Sequence, residues 1–428
     1  MSPLFADLQW RRLVHQVTDP ALAGQLDRGG LSAYGGFDPS ADSLHVGNLV
    51  LILMLRRLQL AGHRPVALAG GGTGLVGDPG GKTEERDLAD RERTVANVAA
   101  IRAQLEGLLD FEGGPGRPAA TVVNNLDWLG GLSLLEFLRD VGKHFTVNQM
   151  MAKESVRGRL SGREQGISYA EFSYMLLQAY DFLHLFDAVG CRLQIGGSDQ
   201  WGNITMGVDL VRRLRGEQAF GLTTPLVVKA DGTKFGKTEE GTVWLDPDRT
   251  SPYAFYQYFV RTPDAEVGLF LRYFTFLERS RIEELDREVA ERPERQAAQR
   301  ALAREVTTLV HGEAEAARAE RAAAALFGQQ LAELDERSLL EVFADAPSSE
   351  VARSVLEGPG WPLVDALVTS GLAPSKGRAR DLIEQGGAYL NDGREREPDR
   401  QIGKADLLHD RYLVLRKGRR DYHLVRVG

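Results

Sequence analysis

The sequence predicts an α/β protein: a parallel sheet with helices on both faces comes first, then a helical stretch, then a small α+β unit. Three observations predict this. Over roughly the first 225 residues, short apolar runs ending in glycine alternate with longer helical patterns, and such alternation builds a parallel sheet whose ligands sit at the strands' carboxyl ends. Several glycines and polar residues fall just after those runs. From Ser251 to Phe343 the pattern turns helical, with Glu, Arg and Ala dominating Arg281 to Phe327.

Taken in order, Leu31-Ser-Ala-Tyr-Gly and Pro65-Val-Ala-Leu-Ala read as strands, and Cys191-Arg-Leu-Gln-Ile as a third. Leu49 to Leu60 and Thr94 to Leu109 read as helices, and Glu171 to Leu183 as a buried one. Ala346-Pro-Ser-Ser and Gly358-Pro-Gly-Trp-Pro have the punctuation of a linker. Beyond them come a helix near Leu363 to Ser370, a helix opening at Ser375, and a hairpin from Tyr412 turning at Lys417-Gly418-Arg419-Arg420. The expected boundaries are 1–248 for the sheet domain with a lysine-bearing loop, 249–345 for a helical domain, 346–360 for a linker and 361–428 for the last unit.

A chain of 428 residues is too long for one core. Its 43% apolar and 26% charged residues are ordinary for a globular protein. The apolar run Leu49 to Leu55 is ended by Arg56-Arg57, far short of the roughly 20 residues that span a bilayer. The start of the chain has no basic stretch followed by an apolar one, so the expected compartment is the cytoplasm. Cys191 stands alone, which excludes an intramolecular disulfide and a multi-cysteine metal site. The net charge of −8 argues against a general nucleic-acid coat protein, yet Trp361 to Gly428 carries 13 Lys and Arg against 10 Asp and Glu. A locally basic tail on an acidic body can bind a polyanion, although uneven charge also arises by chance.

Two motifs mislead. Gly72-Thr-Gly-Leu-Val-Gly77 has dinucleotide-binding spacing, but Asp78-Pro-Gly-Gly follows where a helix must begin. Gly81-Lys82-Thr83 and Gly236-Lys237-Thr238 look like ends of phosphate-binding loops, but Val76 and Asp231 stand where the required glycine belongs.

A third motif is more informative. After the first strand the chain runs Tyr34-Gly-Gly36-Phe-Asp38-Pro-Ser-Ala-Asp-Ser43-Leu-His45-Val-Gly47-Asn48, and an apolar helix begins. Ser43 as N-cap would place His45 to Asn48 in the first turn, where free N–H groups favour an anion. A lone histidine there is more often structural. Asp231-Gly-Thr-Lys234-Phe-Gly-Lys237-Thr238-Glu-Glu-Gly supplies two lysines with glycine between them, a pair that could close over a phosphate chain. In Glu171 to Leu183, Tyr174, Gln178 and Asp181 share one helix face, and their buried polar atoms need partners, either neighbouring backbone or a ligand with a polar head and a hydroxyl tip.

The His45–Asn48 and Lys234–Thr238 motifs resemble the histidine-glycine signature and lysine loop of the class I aminoacyl-tRNA synthetases, and the Lys-Phe-Gly-Lys-Thr form resembles the bacterial tyrosyl enzymes. The resemblance runs through Gly142 to Ser155 and Gln194 to Asn203 and covers essentially the whole chain. It implies a Rossmann-like catalytic domain, a helical anticodon-arm domain, a C-terminal RNA-binding domain shared with a ribosomal small-subunit protein, and a homodimer through the catalytic domain. It further implies that L-tyrosine is activated with ATP and Mg²⁺ to tyrosyl-adenylate and passed to tRNA(Tyr), with no metal ligated by the protein.

By residue, the resemblance puts Tyr34 and Asp181 at the phenolic hydroxyl, Tyr174, Gln178 and Asp78 at the amino group, and Gln200 at the carboxylate. Gly36, Asp38, Gly47, Gly197, Asp199 and Leu226 would hold adenosine. His45, Asn48, Lys82, Arg86, Lys234, Lys237 and Thr238 would stabilise the phosphates. Asn48 departs from the family, which commonly has a second histidine there; its amide can donate a hydrogen bond but cannot carry a proton charge. In the tail, Lys376, Arg378, Arg380, Lys417, Arg419 and Arg420 are the candidate RNA contacts, with Tyr389, Tyr412 and Tyr422 available to stack on bases. The alternatives are a tryptophan-type synthetase and a non-enzymatic RNA-binding protein with a synthetase body.

Overall fold

The computed structural model describes residues 3–78, 90–153, 156–157, 167–228, 235–238, 241–328, 330–344, 346–418 and 421–428; the side chains of 237–238 and 326–328 fall outside that description. The chain divides into two compact units, one of Met1–Thr250 with Thr262–Leu302, the other of Ser251–Arg261 with Ala303–Gly428. Residues 249–345, expected as one helical domain, are therefore shared between the units.

The first unit is built on a six-stranded sheet. Its strands are β1 (Gln16–Val17), β2 (Ser32–Phe37), β3 (Arg64–Ala69), β4 (Thr121–Asn124), β5 (Cys191–Gly197) and β6 (Phe220–Thr224), in the spatial order β1-β6-β5-β2-β3-β4. All neighbours run parallel except the edge strand β1. The order reverses between β2 and β5, and such a switch point leaves a crevice beyond the strand ends. Gly36, Asp38, Asn125, Gly197, Gln200 and Leu226 all lie at or just past those ends. The segment 72–77 forms only a short 3₁₀ turn, Thr73–Leu75, so the dinucleotide-like spacing is not followed by a helix among the described residues.

Helix Val46–Leu60 is buried along most of its length, as its nearly unbroken apolar sequence requires. Its one buried cation, Arg57, donates to the carbonyls of Tyr273 (3.4 Å) and Thr275 (2.5 Å), at the C-terminal end of helix Asp264–Phe274. A cation there meets the unsatisfied carbonyls and the negative end of the helix dipole. Burial pulls the Arg57 guanidinium down to about 9.

In the second unit a five-stranded sheet takes the order Gly393–Glu395, Ala388–Leu390, Tyr412–Lys417, Asp421–Val427, Ser348–Val351. Helices Leu363–Thr369 and Lys376–Glu384 cover one face over a core that includes Leu367, Ile383, Leu390, Leu415 and Val425. The segment 346–360 is thus not a linker: Ser348–Val351 pairs in parallel with Leu424–Val427. The proline and glycines flank a strand whose partner lies more than 70 residues away in sequence, and only that pairing reveals it.

Candidate active site

The crevice past the strand ends holds a cavity of about 320 Å³, lined among others by Tyr34, Asp38, His45, Asn48, Asp78, Tyr174, Gln178, Asp181, Gln194 and Gln200. At its floor, helix Tyr169–Val189 presents Tyr174, Gln178 and Asp181 as the helical spacing requires. Asp181 is buried and accepts from Asn125 Nδ2 (2.9 Å) and Trp128 Nε1 (2.8 Å). Burial raises its carboxyl to about 7, with Asp38 pushing the same way and the two donors pulling back. Tyr34 reaches the same floor from β2; its hydroxyl is buried and has no hydrogen-bond partner among the described residues. Burial and the nearby Asp181 charge hold that phenol well above its ordinary value, so it stays a donor. Gln194 also lines the cavity, and its side-chain carbonyl oxygen is buried and has no hydrogen-bond partner among the described residues.

A second network lies along the wall. Gln178 Oε1 accepts from Asn203 Nδ2 (2.9 Å), which also reaches Gln200 Oε1 (3.2 Å), and Gln200 Nε2 donates to Asp78 Oδ2 (2.6 Å). Three residues expected around the amino and carboxylate groups are therefore tied together through Asn203. Tyr174 donates weakly to Asp38 Oδ1 (3.4 Å), so Asp38, expected at adenosine, sits beside the amino-group residues.

At the mouth the structure corrects one expectation. The N-cap of helix Val46–Leu60 is His45, not Ser43. The Ser43 hydroxyl is engaged instead, donating to Leu44 O (2.7 Å) and accepting from Gln104 Nε2 (2.9 Å). His45 Nδ1 accepts from Gly47 N (3.0 Å), and Asn48 Oδ1 accepts from His45 N (3.1 Å), a reciprocal capping box. With Nδ1 an acceptor, the neutral ring carries its proton on Nε2; with Oδ1 used, the donor Asn48 can offer is Nδ2. A Cβ on Gly47 would stand 2.8 Å from the His45 ring, so only glycine lets the imidazole fold back this way.

The two motifs of the split site meet. Val46 N donates to Val243 O (3.1 Å), Val243 N to Gly236 O (2.9 Å), and Leu245 N to Leu44 O (2.9 Å). Gly236 has φ +84°, and a Cβ there would lie 2.6 Å from Val46 Cγ2. Phe235 is buried against Phe270 and Phe274 of the helix that Arg57 caps. Lys237–Thr238 pairs with Gly241–Thr242 as a short hairpin. Lys82, Arg86 and Lys234 lie outside the described residues, as do Arg419 and Arg420 in the tail.

In the tail, Lys376, Arg378 and Arg380 are exposed on one helix and Lys417 is exposed at a strand end. Tyr412, expected to stack on bases, is buried and donates to Glu336 (2.8 Å), so it is not available. Tyr389 and Tyr422 remain half-exposed and flank Arg416.

The sequence reading missed Asn125, Trp128, Asn203 and Gln194. The signal for the first two was the polar pair Asn124-Asn125 directly after an apolar strand.

A six-stranded switch-point sheet with a capped histidine turn met by a second glycine-rich element is the arrangement expected of a nucleotide-using class I synthetase, and the family comparison bears this out. Residues 27–328 match the family model described as tRNA synthetases class I (W and Y), and residues 339–425 match a tyrosine–tRNA ligase C-terminal domain. The tyrosine–tRNA ligase of Roseiflexus castenholzii is 55% identical over 427 residues, covering 100% of both chains. That of Geobacillus stearothermophilus is 53% identical over 425 residues, covering 99% of each. Among solved structures, a C-terminally truncated mitochondrial tyrosyl-tRNA synthetase of Aspergillus nidulans superposes with a TM-score of 0.68 at 33% identity, over 76% of this chain and 95% of that one. The chain belongs to the tyrosine–tRNA ligase family. It is an enzyme that joins tyrosine to tRNA.

Proposed function

We propose that the cavity binds L-tyrosine with its phenol at Tyr34 and Asp181 and activates it with ATP at the capped histidine turn. The observation that carries this reading is the Tyr34 hydroxyl, a buried donor with no partner among the described residues, beside a buried carboxylate held in place by two donors. A ligand hydroxyl would accept from Tyr34 and donate to Asp181, satisfying both. Phenylalanine would leave the buried Tyr34 hydroxyl without an acceptor and deny Asp181 a third donor. In tyrosyl enzymes, discrimination by this means is on the order of 10⁵.

Tyr174, Gln178 and Asp78 would take the amino group and Gln200 the carboxylate. Gly36, Asp38, Gly47, Gly197, Asp199 and Leu226 would hold adenosine. The tyrosine carboxylate is itself the nucleophile: it attacks the α-phosphorus of ATP in line, forms the acyl–phosphate bond, and pyrophosphate leaves with the electron pair. Catalysis is then positioning and charge stabilisation. His45 Nε2–H, Asn48 Nδ2–H, Thr238 and the cations Lys82, Arg86, Lys234 and Lys237 are donors suited to the phosphates. Mg²⁺ would arrive with ATP as part of the substrate, held by phosphate oxygens and water.

A terminal ribose hydroxyl of tRNA(Tyr) would next attack the tyrosyl carbonyl and release AMP. Lys376, Arg378, Arg380, Lys417, Arg419 and Arg420 would meet the RNA phosphates; the first three form only exposed ion pairs, which exchange readily for phosphate. A homodimer through the first unit is supported by Leu134, Leu135, Val147 and Met151, apolar side chains 45% to 78% exposed within one stretch of chain. The proposed compartment is the cytoplasm; among the described residues no helix is long and apolar enough to cross a membrane.

Lys237→Ala tests the phosphate assignment. Adenylate formation in a single turnover should slow by orders of magnitude while tyrosine binding changes little. A collapse of tyrosine affinity with the rate intact would refute it.

A further inference from the structure

Asp181 and His184 lie three residues apart on helix Tyr169–Val189 and so face the same way. Across from them, in the short turn Leu126–Leu129 that follows β4, lies Trp128. Its indole edge donates Nε1–H to Asp181 Oδ1 at 2.8 Å. Its face stacks on the His184 imidazole, with ring centroids 4.3 Å apart and planes 16° from parallel. One indole is thus held at the edge by one residue of a helical turn and on the face by the next.

The two donors to Asp181 are secured differently. Asn125 is fixed through backbone: its Oδ1 accepts from Gly72 N (2.7 Å), while its Nδ2 serves both Thr73 Oγ1 and Asp181 Oδ2 (2.9 Å each). The sole polar hydrogen of Trp128 is the one it gives to Asp181, so its orientation depends on what packs against the ring. His184 is half-buried and stacks on the ring, which also packs against the apolar core; Tyr180 leans on the imidazole from 6.5 Å. Burial lowers the pKa of His184 against the pull of Asp187, so the neutral ring is favoured for flat stacking.

We propose that His184 is a positioning residue for tyrosine specificity: by stacking on Trp128 it fixes the indole N–H that holds one oxygen of Asp181, and so sets how that carboxylate meets the substrate's hydroxyl. This rests on the reading that Asp181 takes the phenol. The titratable groups around Asp181 are Asp38, Asp78, Tyr34, Tyr174 and Tyr180, with His184 on the same helix face. The first five are unchanged by substitutions at 184 or 128, and Trp128→Phe keeps His184, so a pH shift common to His184→Ala and Trp128→Phe reports the indole contact.

The test compares His184→Ala, His184→Phe, Trp128→Phe and the double variant His184→Ala/Trp128→Phe in pyrophosphate exchange driven by tyrosine or by phenylalanine, from pH 6 to 9. A hydrogen bond to a charged group is worth enough that His184→Ala should lower the tyrosine-over-phenylalanine ratio of kcat/KM about tenfold. It should also move the rising limb for tyrosine to higher pH, because the Trp128 bond is one of the two that hold the Asp181 carboxyl down. His184→Phe, which keeps a flat ring, should restore most of both. The double variant should be no worse than Trp128→Phe alone, since one residue acts through the other.

Equal losses for both amino acids with an unmoved limb, or additive losses in the double variant, would overturn the proposal. Should the alanine variant fail to fold, His184→Leu takes its place; it fills the space without a flat ring and must show the same loss. Asp181→Asn separates the two levels. If it is not selective for tyrosine, the reading of Asp181 itself fails; if it is selective and His184→Ala is silent, only the positioning role fails.

Discussion

Asp181→Asn probes the floor of the site. The rise of the Asp181 carboxyl from its ordinary value to about 7 corresponds to a cost for the charged form of about 4 kcal/mol. Two consequences follow with definite sign. In the free enzyme the carboxylate, which accepts the phenol's hydrogen bond, becomes the dominant form only above pH 7. The kcat/KM for tyrosine should therefore rise with pH through about 7. Because the folded-state value lies above the unfolded one, the group's contribution to stability is fully present below the unfolded value and is lost as pH rises through about 7.

Asparagine removes both dependences. Its amide keeps one acceptor oxygen for Asn125 or Trp128 and turns an NH₂ toward the other donor, leaving a mismatch of about 1–3 kcal/mol. At pH 8 the removed cost of about 4 kcal/mol outweighs the mismatch of about 1–3 kcal/mol, so the variant should melt higher than the parent while tyrosine-dependent exchange falls by about ten- to a hundredfold. Exchange with phenylalanine should change far less. The assay is pyrophosphate exchange from pH 6 to 9 with each amino acid, alongside thermal melts. A pH limb that persists in the variant, or equal losses for both amino acids, would refute the reasoning.

Other expectations follow from the mouth and the tail. His45→Asn keeps a capping side chain and should cost little stability, whereas His45→Ala should lose about 1 kcal/mol; both should slow adenylate formation about a hundredfold if Nε2–H serves the phosphates. Gly236→Ala puts a Cβ at φ +84° against Val46. Single-turnover adenylate formation should drop while the tyrosine Kd, read by calorimetry, holds. Reversing Lys376, Arg378 and Arg380 to glutamate should raise the KM for tRNA and flatten its salt dependence without affecting pyrophosphate exchange.

Much of the site was legible because local pattern places it. The spacing of Tyr174, Gln178 and Asp181 dictates a shared helix face, and the glycine-rich stretches around His45 and Lys237 stand out against any regular period. What stayed hidden depends on contacts distant in sequence. Asn125 and Trp128 gain meaning only because β4 ends opposite Asp181, more than 50 residues on. Ser43 satisfies every local rule for an N-cap, yet Gln104 claims its hydroxyl and the helix begins later. Tyr412 reads as an exposed strand tyrosine until Glu336 takes its hydroxyl. The strand at Ser348–Val351 was concealed because parallel pairing leaves no local turn signal.

On the proposed reading, one cavity recognises a phenolic amino acid and activates it with ATP. Exchange of labelled pyrophosphate into ATP, driven in turn by tyrosine, phenylalanine and tryptophan, tests this most directly. Exchange should be rapid with tyrosine and slower by several orders of magnitude with the other two. Comparable exchange with phenylalanine, or none with tyrosine, would contradict it.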